Sequence, residues 1–578
     1  MTFRRHSARS WAIQGSRNAF SRLWGIVSLS ATFYLFCAGC ASWYAADADR
    51  EVHTVLAQYS QKALGNREQQ ILRPRELPEA PTSAPSSAPS SAEDGIPGDE
   101  DLATTQPSAE TQPVAETQPA NPELIDLTRA LHLAFTSSRD YLDQQESLYL
   151  SGLGFTLTRY NFGPILDSTI SYLWQDRVNS VGSDSLSAGV SARQIMPLGG
   201  TATLSGDVTG SRDNGPDLFR PPDPSEYDYN SNVQLNLRQP LLRGFGYEVS
   251  HEALTQGERD LVYAVRAYEL FRQDFCINVT EAYYQLVSQK MQLANDEQNY
   301  RDAVFDREKS EALRQVDRNR DDDVFLAKRR EIEAEDALLV ARTNYTLAVD
   351  DFKILLGLST SATIEVPDEE PTFKSVRIEP KSAVEVALHN RLDLHTVRDR
   401  VDDAERQVRL AKNGLLPDLD LNVDWGFNNL PSKPFDPTPE RWSATVGTTL
   451  DLPLDRKAER NAYRASLIAL AQIRRDLEQR ENKIERDVLD QLRQLTQVEK
   501  RIQLQRDQIE REKRAVTVTR IRIESGDAQT RDLLDAQQGL TNARNALLNL
   551  QVQHFIGRLR LNRNLGVLFI DNEGRWRE

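Results

Sequence analysis

The chain has 578 residues, a formal charge of −16, 39% apolar residues and a mean hydropathy of −0.55. So low an apolar content argues against one large globular core and suits long polar helices beside water, with disordered tails, while the excess of acid argues against nucleic acid, whose phosphates need a basic face. Three cysteines with no metal or disulfide spacing, seven scattered histidines and no phosphate loop or nucleophile–base spacing give no support to an enzyme, a metal site or a cofactor.

Arg4, Arg5, Arg9, Arg17 and Arg22 precede an apolar stretch at 24–36, which leads into Cys37-Ala38-Gly39-Cys40. A basic segment, a short apolar segment and small residues before a cut make a secretory signal peptide. The small pair before Cys40 resembles a bacterial lipoprotein signal, although Cys37 stands where such signals usually carry Leu. On this reading residues 1–39 are removed and Cys40 becomes the acylated, palmitate-bearing first residue. Removal takes away five arginines and no acid, leaving a charge of −21. Ala41 in place of Asp points to outer-membrane sorting, and each buried acyl methylene contributes about 0.8 kcal/mol to anchoring. An ordinary signal peptide cut near Ala41 is the alternative.

Residues 40–73 form an N-terminal anchor segment with one short helix at about 46–64. Residues 74–123 are rich in Pro, Ser, Thr, Ala, Gln and Glu, a composition that buries no core and makes a disordered tether. No later segment has 18 consecutive apolar residues, so any membrane-embedded part must be a barrel.

Order resumes at 124. A short helix at 127–138 leads into a longer one that stops before Pro164. Four period-two runs follow. Leu166, Ile170, Tyr172 and Trp174 alternate with polar residues, as do Leu186, Ala188, Val190 and Ala192, then Ala202, Leu204 and Val208, then Val233, Leu235 and Leu237. Gly199-Gly200 is a short turn between the middle two, and 213–227 is a long polar loop. Strands of this length and alternation suit a membrane barrel, with a soluble sandwich as the alternative. From about 248 to 316 the period becomes helical, with Leu261, Val265, Tyr268, Phe271, Phe275, Val279, Ala282 and Leu286 on one stripe. Cys276 lies within it and reads as a buried small apolar residue. A reversal at 315–323 sends a helix back to Leu356-Gly357, completing a first repeat at 124–366.

The second repeat, 367–570, replays this order. Its short helix is 382–390, and its longer one stops before Pro417. Only two strands follow, with Leu419, Leu421, Val423, Trp425 and Phe427 on one apolar face and Trp442, Ala444, Val446, Thr448 and Leu450 on the other strand's. The helix at about 456–524 carries Val488, Leu495, Ile502, Ile509, Val516 and Ile523 seven apart, a narrow coiled-coil seam with wet flanks. It would be roughly 100 Å long at 1.5 Å per residue. An isolated antiparallel coiled coil is the alternative. Ser525-Gly526-Asp527-Ala528 reverses the chain, a helix returns to Leu565-Gly566, and 571–578 is a C-terminal tail.

The two halves are a duplication. Ala130, Ala134, Asp140 and Pro164 recur 253 positions on as Ala383, Ala387, Asp393 and Pro417; Pro240-Leu241 recurs 213 on as Pro453-Leu454; Leu356-Gly357 recurs 209 on. The 40-residue excess of the first half is one additional hairpin. The fold class is therefore mainly α with a membrane β-barrel, built from duplicated strand–helix halves.

This order, doubled, resembles the outer membrane efflux protein (TolC-like) family, in a lipoprotein form, over about 124–570. The carrying motifs are Ala130-Leu131-x-x-Ala134 and its copy at Ala387-Leu388-x-Asn390-Arg391-x-Asp393-Leu394, Gly414-Leu415-Leu416-Pro417, Pro240-Leu241-Leu242-Arg243-Gly244, and Asp532-Leu533-Leu534-Asp535-Ala536 after Gly526. The resemblance implies a homotrimer with one barrel in outer-membrane lipid and one coiled-coil tunnel across the periplasm. It implies a passive exit duct of a tripartite efflux or type I secretion system, driven by an inner-membrane pump through a periplasmic adaptor. A structural protein bridging the envelope without transport is the rival. Asp532 and Asp535 match the family's constriction aspartates, one turn apart and so on one helix face, with a plain solvated helix face as the other reading. The tips, Asp317, Arg318, Asn319 and Arg320 in the first half and Ser525, Gly526 and Asp527 in the second, match its adaptor contacts. Ala528 replaces the Arg that family members carry two places after the tip glycine. Six strands per chain would close an 18-strand barrel; four per chain, as family members usually supply, is the alternative.

Overall fold

A computed structural model describes residues 41–65, 123–175, 183–213, 228–315, 320–369, 371–428, 442–525, 527–528, 530–571 and 574–577. Its contacts divide the chain into two units. Of the first, residues 1–57 and 71–121, the described part is helical and belongs to α1 (Ala41–Leu64). The expected signal peptide, Cys40 and residues 74–122 of the tether expected at 74–123 lie outside the described residues; Glu123, expected to end the tether, opens a short strand instead.

The second unit begins with the last turns of α1 and resumes at β1 (Glu123–Leu124). It continues through α2 (Leu127–Ser137), α3 (Arg139–Phe162), β2 (Ile165–Gln175), β3 (Ser183–Ile195), β4 (Thr201–Asp213), β5 (Asp228–Pro240), α4 (Tyr247–Ser250), α5 (Glu252–Gln315) and α6 (Asp321–Leu355). The second half follows as β6 (Ile364–Glu365), α7 (Pro380–Asn390), α8 (Leu392–Asn413), β7 (Asp418–Asn428), β8 (Trp442–Asp451), α9 (Lys457–Glu524), α10 (Thr530–Leu565), β9 (Phe569–Ile570) and β10 (Trp576–Arg577). β1 pairs in parallel with β6 and joins the start of the first half to the junction between the halves.

The duplication is physical as well as textual. α2 breaks from α3 at Ser138 (ψ 131°), and α7 breaks from α8 at Arg391 (ψ 121°), two extended residues at equivalent positions. α6 ends at Gly357 (φ +74°) and α10 at Gly566 (φ +71°). Each glycine takes the left-handed conformation that closes a helix through a bond from the next N–H to a carbonyl five residues back, Leu358 to Lys353 at 2.8 Å and Val567 to Asn562 at 3.0 Å. A Cβ on Gly357 would strike the backbone of Ser137, and one on Gly566 that of Asn390. Each returning helix thus ends against the short helix of its own half.

The helices pack as two antiparallel hairpins, α5 with α6 and α9 with α10. α9 is 68 residues long, about 100 Å at 1.5 Å per residue. Its predicted seam is buried at Val488, Leu495, Ile502 and Ile509 and loosens at Val516 and Ile523 toward the tip. Ile484, Val488 and Leu495 meet Leu561 and Leu565 of α10, Ala383 and Ala387 of α7 and Leu394 of α8 in one apolar cluster. On α5 the buried stripe is wider than predicted, because Arg272 and Gln273 grip the chain's end. They donate to the carbonyls of Ile570, Asp571 and Leu568 at 3.2, 2.9 and 3.1 Å. The residues expected as a tail include β10, which turns back to pair with β9. Cys276 is buried beneath that hairpin, and burial pushes its thiol pKa up to about 12.

The six predicted period-two runs form one antiparallel sheet in the order β2-β3-β4-β5-β7-β8. Directly opposed residues of a pleated sheet share a face. The row Leu166, Ala192, Leu204, Leu235, Trp425 and Ala444 crosses all six strands on one face. The neighbouring row on the opposite face is Asp167, Ser191, Ser205, Gln234, Gly426 and Ser443. No helix among the described residues is long and apolar enough to cross a membrane.

Candidate functional site

The site is built where the two hairpins of one chain lie side by side. The α9–α10 hairpin packs on an apolar seam with the His554–Glu499 pair beside it; between α5 and α10, next to the Tyr284–Phe555 ring contact, most of the side-chain contacts are polar. Arg563 pairs with Asp274 at 2.7 Å and Arg560 with Glu281 at 2.6 Å. Further along, Asn549 Oδ1 accepts from Ser288 at 3.2 Å and Gln292 at 3.3 Å, and Asn545 Oδ1 accepts from Asn295 at 2.7 Å. Nearer the tips Gln537 donates to Asp306 at 3.5 Å, and Arg330 of α6 donates to Gln538. Beside this seam lies a cavity of about 690 Å³ among Gln285, Gln289, Gln292, Gln491, Gln494 and Gln553. Amides bond to one another or to water with nearly equal ease, so such a seam exchanges partners at little net cost, unlike an apolar one.

Sequence reading missed this stripe. Asp274, Glu281, Ser288 and Asn295 are spaced seven apart, the same period as the apolar seam of α9, but polar heptads read as a solvated face. Asp306 was missed as well: burial raises its carboxyl pKa above the ordinary range, with the bond from Gln537 opposing.

Asp532 and Asp535 stand in the first turns of α10, turned away from buried Leu533 and Leu534 and flanked by buried Ala536. Both are exposed. Asp535 lies 3.9 Å from Arg531, an exposed i,i+4 pair that contributes little. Acid here also suits the positive end of the helix dipole. Of the predicted tips, Ser525 caps α9 by donating its N–H to Ile521 at 3.1 Å, and the N–H of Asp527 bonds Arg522 at 2.8 Å. Arg320 precedes α6, its N–H donating to Asp323 at 3.4 Å, and Asp321, Asp322 and Asp323 fill the first turn. Arg320, Ser525 and Asp527 are exposed. Asp317, Arg318, Asn319 and Gly526 lie outside the described residues.

A sheet with one apolar face, joined to long helical hairpins and duplicated, has close counterparts. Residues 383–567 match the family profile described as outer membrane efflux protein. The chain is similar to the TolC-like outer membrane efflux proteins. Its fold matches an outer membrane protein VceC of Vibrio cholerae at a TM-score of 0.58, 18% identity, covering 76% of this chain and 96% of that one. The match to the Campylobacter jejuni CmeC outer membrane channel has a TM-score of 0.56 at 13% identity, covering 81% and 94%. In sequence it is 25% identical over 365 residues to the alkaline protease secretion protein AprF of Pseudomonas aeruginosa, covering 59% of this chain and 71% of AprF. Outer membrane efflux proteins are transport ducts rather than an enzyme family, and the chain's place is the outer membrane.

Proposed function

We propose that three copies assemble into a passive exit duct of a tripartite efflux or type I secretion system. The observation that carries this is the joining of a sheet, apolar on one face and polar on the other, to helices long enough to cross a periplasm. The sheet stands in outer-membrane lipid, and the hairpins reach inward as a tunnel. The exposed ends at Arg320, Ser525 and Asp527, with Asp317, Arg318, Asn319 and Gly526 beside them, receive a periplasmic adaptor that links the duct to an inner-membrane pump. Likeness to AprF favours secretion among the cargoes, as its name describes.

Asp532 and Asp535, repeated by the threefold, place carboxylates around the narrow end of the tunnel. Such rings favour cations and make opening sensitive to ionic strength. The α9–α10 hairpin shifts against α5–α6 along the polar seam while its own apolar seam keeps it intact. Cys40 is acylated and holds the mature chain to the membrane; Cys40→Ser would remove the acyl mass from the mature protein.

Conductance in planar bilayers tests the reading. The wild-type trimer should pass small cation-selective currents, and Asp532→Ala with Asp535→Ala should raise the current and weaken the selectivity. A trimer that stays closed in both forms overturns the duct and leaves the envelope-bridging role.

A further inference from the structure

The additional hairpin of the first half, β2 with β3, has three places to go: into the barrel wall, into its lumen, or outside it. We propose that all six strands form the wall, and that the free edge of β8 on one copy pairs antiparallel with the free edge of β2 on the next. Resting on the trimeric duct reading, this closes three copies of six strands into an 18-strand barrel.

The two-faced register is the first ground. On the apolar face β2 and β3 bring Leu166 opposite Ala192, Ile170 opposite Ala188 and Tyr172 opposite Leu186. That face continues without a break through Leu204 and Leu235 to Trp425. Leu166 and Ile170 are 72% and 79% exposed, as Val446 is 68% exposed at the far side of the sheet. The reverse face keeps Asp167, Thr169 and Ser171 in line with Ser205, Asp207 and Thr209 across β3. A hairpin lying in the lumen would present its apolar residues to water. One lying outside the wall would present its serines and aspartates to lipid.

The inner turn is the second ground. Residues 196–200, between β3 and β4, are fastened to the segment that leads from β5 into α5. Leu198 O accepts from the N–H of Gly246 at 3.2 Å and from the side chain of Gln239 at 3.1 Å. Pro197 O accepts from the Ser250 hydroxyl at 3.1 Å. Gly199, at φ +92°, and Gly200 leave no room for a Cβ, which would strike Gly244 O and the Gln239 side chain respectively. The hairpin is therefore held at the same level as the strand-to-helix junction of its neighbours and cannot swing in or out.

The edges are the third ground. β2, of 11 residues, is paired on one side by β3, and β8, of 10 residues, on one side by β7. Their outer N–H and C=O groups need partners inside a bilayer, where water supplies none. β2 leaves the helices and β8 returns to them, so the two edges of neighbouring copies run antiparallel. Closure of a single chain on itself is excluded by size. Six strands make a barrel narrower than the eight whose own side chains already fill the interior, and Asp167, Asp207 and Asp424 would be sealed inside it. At a strand spacing of about 4.8 Å and a tilt of about 40°, 18 strands enclose about 36 Å between backbones, against about 24 Å for 12.

Cysteine cross-linking in intact trimers tests this. One cysteine replaces Thr169 on β2, and a second replaces Thr445, Gly447 or Thr449 on β8, all on the polar face. Cys276 is buried and does not compete. Trimers isolated on native gels and oxidised should give disulfide-linked oligomers for a register-limited subset of these pairs. The same β8 set combined with a cysteine at Ser205 on β4 should give none. Bonds from Ser205 but not from Thr169 would show a four-strand wall and overturn the proposal. Trimers that cross-link from neither strand would overturn it equally, and a chain that forms no trimer would take the duct reading down as well.

Discussion

Asn295 of α5 donates its side-chain amide to Asn545 of α10 at 2.7 Å, midway along the polar seam between the two hairpins. If that seam is where the hairpins move, cysteines at both positions should lock it. Conductance should stay at its closed level under oxidation and recover on reduction. Asn545→Leu alone should leave the Asn295 amide unpaired and cost about 1–3 kcal/mol, read as a lower melting midpoint.

The two helix-ending glycines make a matched pair of predictions. Gly566→Ala and Gly357→Ala each force a side chain into positive φ and against the backbone of Asn390 or Ser137. Each should destabilise by about 1–3 kcal/mol. Gly154, whose surroundings leave open space for a methyl group, should tolerate the same change; melting followed by helical circular dichroism compares the three.

His554 is buried on α10 with its Nε2 3.2 Å from Glu499 of α9 and its ring 4.6 Å from that of Phe373. Glu499 also receives the N–H of Val376 at 2.9 Å and the Ser375 hydroxyl at 3.2 Å, and so pins the linker between the two halves. Burial lowers the imidazole pKa below 6.5, with the Glu499 carboxylate opposing and Arg558 assisting. A histidine held neutral by the fold contributes stability above its unfolded pKa. That contribution fades as pH falls through about 6.5 toward the folded value. The melting midpoint should therefore drop between pH 7.5 and pH 5, and His554→Leu should flatten that part of the profile.

Arg272 is buried with Glu269 at 2.9 Å while it holds two carbonyls of the C-terminal hairpin. Arg272→Met should cost about 3–5 kcal/mol, because it removes the guanidinium from the buried Glu269 pair and from both carbonyls. Glu269→Gln in the same chain should recover part of the loss. Trypsin cleavage near Arg575 should quicken in the single variant.

Much of this architecture is written in periodicity. The alternation at 418–427 became β7, and the heptads from Val488 to Ile509 became the buried side of α9, because burial against a neighbour selects apolar residues at a fixed interval. The spacing of Asp532 and Asp535 likewise gave their shared exposed face. Polar burial left no such mark. Asp274, Glu281, Ser288 and Asn295 obey the same interval, but their partners lie more than 200 residues away on α10, and a polar residue looks the same in sequence whether it faces water or an amide. Arg272 and Gln273 were hidden for a related reason: their acceptors are backbone carbonyls, which carry no residue identity.

The turn at 196–200 bears on how such a chain can lengthen. It returns β3 to the side from which β2 left, so the inserted segment begins and ends on the same side of the sheet. An insertion of two strands preserves parity: every later helix emerges where it did before. One strand, or three, would have turned the rest of the protein inside out. Circumference at the mouth can therefore grow by whole hairpins while the helical conduit beneath keeps its original count.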